Sequence, residues 1–488
     1  MKICFLHRLN SFMAPSGLLQ IAAIARELGH ECFYLDMNDE KWKADMKVFD
    51  PHAVCCSLMS GEAKWYYGAA SWIKANLPNA IMIAGGSHPT YFPGGMIKDS
   101  DFHVICRGEG ETAFKVFLQH LANGAQMVDF KDIPNLVTKD SEDPMNIPMY
   151  ALEHNLDLLP PPAWDLFYDS THLGGNNLRS YIAGRSCPHR CGYCFNASFH
   201  KLYEGQRPRQ LRKLSPEYIV SDLEHIRDTW GLKFLKLYDD VLVNSYDDWL
   251  HEFTALYRER LGIPFFCLMR ADSLTEKIAK RLKWAGCQTI SMSIEAKSET
   301  RAMVMDRHMD DQALIDAHAI CRKLGISTFA NVIVGLPDTH SDDDWEALEL
   351  ALRCGCTWIE YVQYTPYPET ALGEMTFDSG YAKRGDLNVH TSYQNRSILT
   401  CFTSQEKDAQ ENFGTLGVVA TLYPWFLPVA RWLIPGKPRR IYLLLYYVVK
   451  MRIMQNKIYP SGNSRLQRWK IYWRSLKQEI WRRTDEEV

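Results

Sequence analysis

The sequence lacks the features that would place a protein outside the ordinary globular class. It has no charge of one sign: 55 Lys and Arg stand against 58 Asp and Glu, a net −3, so nothing in the overall balance calls for nucleic acid. It shows no secretory h-region or cleavage site, since it opens MKICFLHRLN. The 14 cysteines are therefore not read as a disulfide framework, and a reducing, cytoplasmic compartment is expected. It also has no clean apolar run of the roughly 20 residues that cross a bilayer. The nearest approach, FGTLGVVATLYPWFLPVA at 413–430, contains Pro424 and Pro428 and is read as a buried or interfacial segment. A tandem repeat of fixed short period is absent too.

What is present is a long, well-mixed chain. Hydrophobic residues make up 46% and charged residues 23%, which excludes disorder as the main state. A length of 488 residues predicts about three domains. Residues 1–125 alternate short apolar runs (31–37, 53–59, 80–86, 102–108) with helical patterns near 16–29, 62–76 and 110–122. This βαβ series predicts a doubly wound parallel sheet whose ligand lies beyond the carboxyl ends of its strands. Residues 126–178 are polar and rich in proline and are read as a linker. From 179 to 375 a second alternation predicts strands at 180–186, 233–239, 264–270, 288–294, 327–335 and 357–364. Six such steps suit a partial (β/α)6 TIM-like barrel. Residues 376–488 are expected to form a mainly helical, basic region.

The strongest chemical signal is RSCPHRCGYCFN, which places Cys187, Cys191 and Cys194 in a C-x3-C-x2-C spacing just after the first barrel strand. Three thiolates within eight residues can converge on one metal centre, and three ligands leave a cubane cluster with one open iron. A zinc site borrowing a distant ligand, or coincidence among 14 cysteines, is the plainer alternative.

With Tyr193 before its last cysteine, this triad resembles that of the radical S-adenosylmethionine (SAM) enzymes. Further pieces agree in order: Y-D-D at 238–240, M-R-A-D at 269–272, S-I-E at 293–295, V-G-L-P-D-T at 334–339 and P-Y-P-E-T at 366–370. The resemblance implies a [4Fe-4S] cluster on Cys187, Cys191 and Cys194, with SAM bound at its open iron and cleaved to a 5′-deoxyadenosyl radical. Asp239 or Asp240 would accept from the SAM ammonium group, Glu295 would meet the ribose hydroxyls, and Arg270 would pair a carboxylate of SAM or substrate. Ordinary ion pairing at the barrel mouth is the competing reading for each of these residues.

A doubly wound domain ahead of such a barrel resembles the cobalamin-binding subgroup of the same family. The residues that carry this likeness are Ser57, Gly85, Gly86, Ser87 and the R-G-E-G-E segment at 107–111 with Glu109. Methionine-synthase-like cobalamin proteins place Asp-x-His-x-x-Gly after the first strand, but this chain reads HRLNSFMAPSG from His7. Cobalamin is therefore expected to bind without a protein histidine on cobalt.

Residues 431–488 hold 14 Lys/Arg against 4 Asp/Glu. Leu466, Trp469, Trp473, Leu476 and Ile480 recur at helical spacing among basic residues, a pattern read either as a helix capping the barrel or as one lying on an anionic membrane. The resemblance as a whole implies a methyltransferase acting on an unactivated carbon through a 5′-deoxyadenosyl radical and methylcobalamin. The rivals are a radical SAM cyclase or rearrangement enzyme and, from another class, a non-enzymatic iron-sulfur or zinc protein. A small-molecule or lipid-like substrate and an external one-electron donor of flavodoxin or ferredoxin type would complete the system.

Overall fold

A computed structural model describes residues 1–9, 12–124, 127–386, 396–461, 469 and 473. The chain divides into two units. The first comprises residues 1–176, 180–222 and 365–391, and the second residues 177–179, 223–364 and 392–488.

In the first unit, the apolar runs become strands because both of their faces are covered. Strand β1 (Lys2–His7) buries Ile3 to Leu6 completely. It is joined by β2 (Glu31–Asp36), β3 (Ala53–Ser57), β4 (Ile81–Gly85), β5 (Val104–Cys106) and β6 (Leu136–Val137) in the order β2-β1-β3-β4-β5-β6. All neighbours are parallel except β5 and β6. This is the doubly wound order with an antiparallel strand added at one edge. Helices Ser16–Glu27, Ala63–Asn76 and Glu111–Ala122 lie where 3.6-residue periodicity predicts them. The helix Trp42–Phe49 escapes sequence reading because only Trp42 and Met46 are buried, too few to make an apolar stripe. Residues 126–178, read from sequence as a linker, supply β6 and the short helix Trp164–Tyr168, whose Trp164, Phe167 and Tyr168 are buried.

In the second unit, β10 (Phe234–Leu237), β11 (Phe265–Leu268), β12 (Cys287–Ser291), β13 (Ser327–Val334) and β14 (Trp358–Gln363) form a parallel sheet. At its edge stands β7 (Leu178–Tyr181), of which residues 178 and 179 belong to this unit. The strands follow one another in chain order, β7-β10-β11-β12-β13-β14, with a helix in every crossover. Unlike the first sheet, this one has no switch point, which is the order of a βα barrel left open. Two-residue strands β8 (Gly184–Arg185) and β9 (Arg212–Lys213) pair antiparallel in the first unit.

The first half of the 413–430 run is internal, with Phe413, Leu416, Val418, Val419 and Ala420 buried and Phe413 packed on Trp345 and Tyr361, whereas Trp425 and Val429 in its second half are exposed. Among the described residues no helix is long and apolar enough to cross a membrane. Of the basic helix predicted near 465–483, Trp469 and Trp473 are exposed with stacked rings. Its remaining residues, Leu466, Leu476 and Ile480 among them, lie outside the described residues.

Candidate active site

Beyond the carboxyl ends of β3, β4 and β5 the first unit encloses a cavity of about 370 Å³. Ser57, Gly85, Gly86 and Glu109 line it, whereas Ser87 opens the helix Ser87–Tyr91 and is not among the lining residues. Gly86 has φ +103°, and a Cβ there would stand 2.8 Å from the Leu58 carbonyl oxygen and 3.0 Å from Ser57 Oγ, so only glycine fits. Tyr181, Ile182, Gly184 and Arg185 line the cavity too. Tyr181 is fixed by Asp222, which accepts from its hydroxyl at 3.0 Å and from Trp164 Nε1 at 3.0 Å. An apolar cleft with one wall of bare backbone suits a bulky group that carries a flat or elongated tail.

The R-G-E-G-E segment is held by a buried network. Asn135, fully buried at φ +69°, donates from Nδ2 to the Arg107 carbonyl at 2.8 Å, and the Glu109 backbone N–H donates to Tyr203 Oη at 2.9 Å. The Glu109 carboxylate accepts from Arg212 at 2.9 Å and lies 3.1 Å from Arg185, while Glu111 lies 2.5 Å from Arg185. Burial raises the Glu109 carboxyl, but the Arg212 hydrogen bonds and the two positive charges outweigh it and hold the group below its usual range. Glu109 therefore reaches the cavity as an engaged carboxylate.

Arg185 stands two residues before Cys187. Between β8 and the helix Phe195–Leu202 the loop carries all three cysteines, none in a disulfide, with Cys187 and Cys191 buried and Cys194 half-buried at the helix N-cap. The Cys194 N–H donates to the Cys191 carbonyl at 3.0 Å, and His200 Nε2 lies 2.8 Å from the Cys187 carbonyl. The P-Y-P-E-T segment braces the same loop. Ser198 Oγ donates to the Glu369 carbonyl at 2.7 Å, the Leu372 N–H donates to the Gly192 carbonyl at 2.9 Å, and Phe195 lies between Tyr91 and Tyr367. Tyr193, also on this loop, is half-buried. Among the described residues no group of three His, Cys, Asp or Glu is arranged around a single metal ion. A cubane, which binds each thiolate through a different iron, asks for a wider spacing than one ion does.

In the second unit the acidic and arginine residues stand at or just past strand ends. Asp239, buried, and Asp240, exposed, follow β10. Arg270, after β11, directs Nε to the Asp272 carboxylate at 2.9 Å and Nη2 to the His308 carbonyl at 2.8 Å, so its plane is fixed from two sides. Glu295, 7% exposed, takes φ +68° where the chain leaves β12 and forms a bridge to Val332, with Arg307 at 3.8 Å. A buried glutamate in the left-handed region is an uncommon, strained placement.

Three residues absent from the sequence reading matter here. Arg185 and Arg212 clamp the glutamates; Arg185 stands two residues before Cys187, whereas the sequence around Arg212 gives no sign of its role. Lys236 carries a clearer sign, a lysine inside the apolar strand FLKL. Its ammonium lies 4.2, 5.2 and 5.5 Å from the ring centres of Tyr238, Phe266 and Tyr459, and burial lowers its pKa to about 7.

Comparison with known proteins agrees with both halves of this geometry. Residues 4–118 match the B12 binding domain model and residues 181–351 match that of the radical SAM superfamily. The chain is 25% identical to an uncharacterized methyltransferase of Pyrococcus horikoshii, over 80% of this chain and 84% of the relative. It is 22% identical to an anaerobic magnesium-protoporphyrin IX monomethyl ester cyclase of Synechocystis, over 74% and 72%. The radical SAM methyltransferase TsrM of Kitasatospora setae, solved with cobalamin and a [4Fe-4S] cluster, shares the fold at TM-score 0.62 and 13% identity, over 83% of this chain and 80% of that one.

Proposed function

The chain belongs to the radical SAM enzymes that carry a B12-binding domain, and from that premise we propose that it is a cobalamin-dependent methyltransferase acting on an unactivated carbon. One observation carries the proposal. The glycine-walled cavity and the cysteine loop belong to the same unit, and Gly184 and Arg185, which line the cavity, lead directly into Cys187. The residues present fit both cofactors: Gly86 leaves bare backbone where a corrinoid tail would lie, and three cysteines outside any disulfide share one loop.

When bound, the [4Fe-4S] cluster and SAM supply a 5′-deoxyadenosyl radical, and cobalamin supplies the methyl group. That division solves a chemical problem, because an sp3 carbon has no lone pair with which to attack a sulfonium. Cys187, Cys191 and Cys194 hold the cluster, and Tyr193 sits beside SAM. Ser57, Gly85, Gly86 and Glu109 would receive cobalamin. Asp239 or Asp240 accepts from the SAM ammonium and Glu295 from its ribose hydroxyls. Arg270, oriented by Asp272, takes a carboxylate of SAM or substrate. The substrate is a small or lipid-like molecule, and a flavodoxin- or ferredoxin-type protein delivers the electron. We place the enzyme in the cytoplasm, with the basic C-terminal sequence as a point of peripheral membrane contact.

The similarity to a cyclase supports a second reading, the same radical chemistry without methyl transfer. One experiment separates the two. The protein is reconstituted anaerobically with iron, sulfide and hydroxocobalamin, desalted, and incubated with SAM and a reductant. Methyl transfer predicts near-stoichiometric corrinoid, with both S-adenosylhomocysteine and 5′-deoxyadenosine released. Deoxyadenosine without S-adenosylhomocysteine would move the assignment to cyclisation or rearrangement.

A further inference from the structure

The helix Arg440–Ile453, RIYLLLYYVVKMRI, is apolar on two faces. Tyr442, Leu443, Tyr446, Tyr447 and Val449 are buried within the second unit, where Tyr446 donates its hydroxyl to the buried Glu360 at 2.8 Å. The opposite stripe, Ile441, Leu444, Leu445 and Val448, follows i, i+3, i+4, i+7 spacing and is 60, 50, 36 and 51% exposed. The preceding helix, Leu427–Leu433, packs like this one against the helix Val418–Leu422. On and just before it, Trp432 and Trp425 are 80 and 76% exposed. A globular chain rarely leaves two tryptophans and a four-residue aliphatic stripe in water without a use for them.

We propose that this face docks on the surface of an anionic lipid bilayer. Charge selects that occupant. From Asn412 to Gln478 the sequence contains 12 Lys/Arg and not one Asp or Glu. Among the described residues of this stretch, Lys437, Arg439, Arg440 and Arg452 are exposed just before and along this helix, and Arg431, exposed beside Trp432, pairs with Glu349 at 2.8 Å. An apolar stripe edged by cations, with tryptophans at its border, matches the acyl boundary, the headgroup charge and the interfacial zone of such a membrane. At 14 residues the helix is too short to cross, so it would lie in the plane of the interface. This contact rests on residues other than those at 465–483 and is independent of methyl transfer. For the enzyme it means catalysis at a membrane surface, where an apolar substrate would be concentrated.

The test uses the full-length, cofactor-loaded enzyme and flotation with vesicles of equal parts phosphatidylglycerol and phosphatidylcholine, compared with phosphatidylcholine alone. The wild type should float with the anionic vesicles and much less with the neutral ones. Leu444→Glu with Val448→Glu should weaken this by about ten-fold or more, and Arg439→Gln with Arg440→Gln should weaken it and reduce its salt dependence. All these positions are exposed, and unchanged 5′-deoxyadenosine formation reports that each variant is folded. Trp469→Ala with Trp473→Ala separates the other helix, because loss of binding only in that variant would overturn the proposal. So would failure of the wild type to float. A wild-type dimer that the Leu444/Val448 variant converts to monomer, without lipid binding, would make the face an interface between copies and overturn it as well.

Discussion

The Arg185 guanidinium lies 2.5 Å from the Glu111 carboxylate, and the same arginine lies 3.1 Å from Glu109, two residues ahead of Cys187. The pairs are mostly buried, so removing one partner leaves a charge without its match in a poorly solvated site. Arg185→Gln should therefore destabilise the first unit by about 2 kcal/mol, below the roughly 3–5 kcal/mol of a fully buried pair. Because Arg185 also lines the cavity, corrinoid retention should fall in step. Thermal melts and cobalt per chain after desalting check this. A double-mutant cycle with Glu111→Gln should recover part of the loss, and strict additivity would mean that the pair contributes nothing.

Two adjacent glycines should behave differently. Gly86 sits at φ +103° with no room for a Cβ, whereas a Cβ on Gly85 would meet only the Cys106 carbonyl oxygen, at an ordinary 3.9 Å. Gly86→Ala should cost about 1–3 kcal/mol of stability through backbone strain and should abolish hydroxocobalamin retention. Gly85→Ala should fold normally, with its added methyl next to the cavity, and lose affinity only moderately. Equal effects of the two substitutions would refute the backbone cradle.

His7 occupies the neighbourhood where a cobalt-ligating histidine would be sought, but its Nδ1 lies 2.8 Å from Tyr34 Oη and burial lowers its pKa to about 4. His7→Phe should leave the visible spectrum of bound cobalamin unchanged, with water or an empty position as the lower ligand. Loss of a nitrogen-ligand signature in electron paramagnetic resonance of the cob(II)alamin form would show the opposite.

Much of this architecture was legible beforehand, and what escaped did so for physical reasons. Strands such as KICFLH are apolar on both faces and announce themselves, and the C-x3-C-x2-C spacing is a local signal that needs no tertiary information. The clamp of Glu109 by Arg212 joins residues about a hundred positions apart, and nothing in either neighbourhood predicts it. Likewise, Ser87 directly follows Gly86 in sequence, yet it opens the helix Ser87–Tyr91 and is not among the residues that line the cavity. The linker reading of 126–178 relied on missing periodicity, yet a two-residue strand and a five-residue helix are too short to display any.

Acid and base should each weaken one named group. His88, buried between Tyr67 and Ser60, has its pKa lowered to about 4 by burial, so the folded state keeps it neutral. A folded value below the unfolded one means stability is complete above about pH 6.5 and is lost as pH falls towards 4, by up to roughly 3 kcal/mol. Asp344 behaves in the opposite sense, because burial raises it to about 8 even though it accepts from the Gly335 N–H. Its contribution is full below about pH 4 and is lost as pH rises through 8. Denaturant titrations across this range should show His88→Gln reducing the loss as pH falls from about 6.5 to 4 and Asp344→Asn reducing the loss as pH rises from about 4 to 8.

Glu295 carries the sharpest test of the SAM assignment, because its backbone is already strained at φ +68°. Strain of this kind costs about 1–3 kcal/mol and persists where the side chain has a use that offsets it. Glu295→Gln keeps the shape and removes the charge, so SAM affinity should fall about ten-fold, the loss of one charge-assisted hydrogen bond. Deoxyadenosine yield at saturating SAM should stay close to wild type. Glu295→Gly releases the backbone, and its melting temperature should hold or rise even as SAM binding collapses. If the glycine variant instead melts early, the residue is a structural partner of Arg307, 3.8 Å away, and the ribose contact must be sought on another strand.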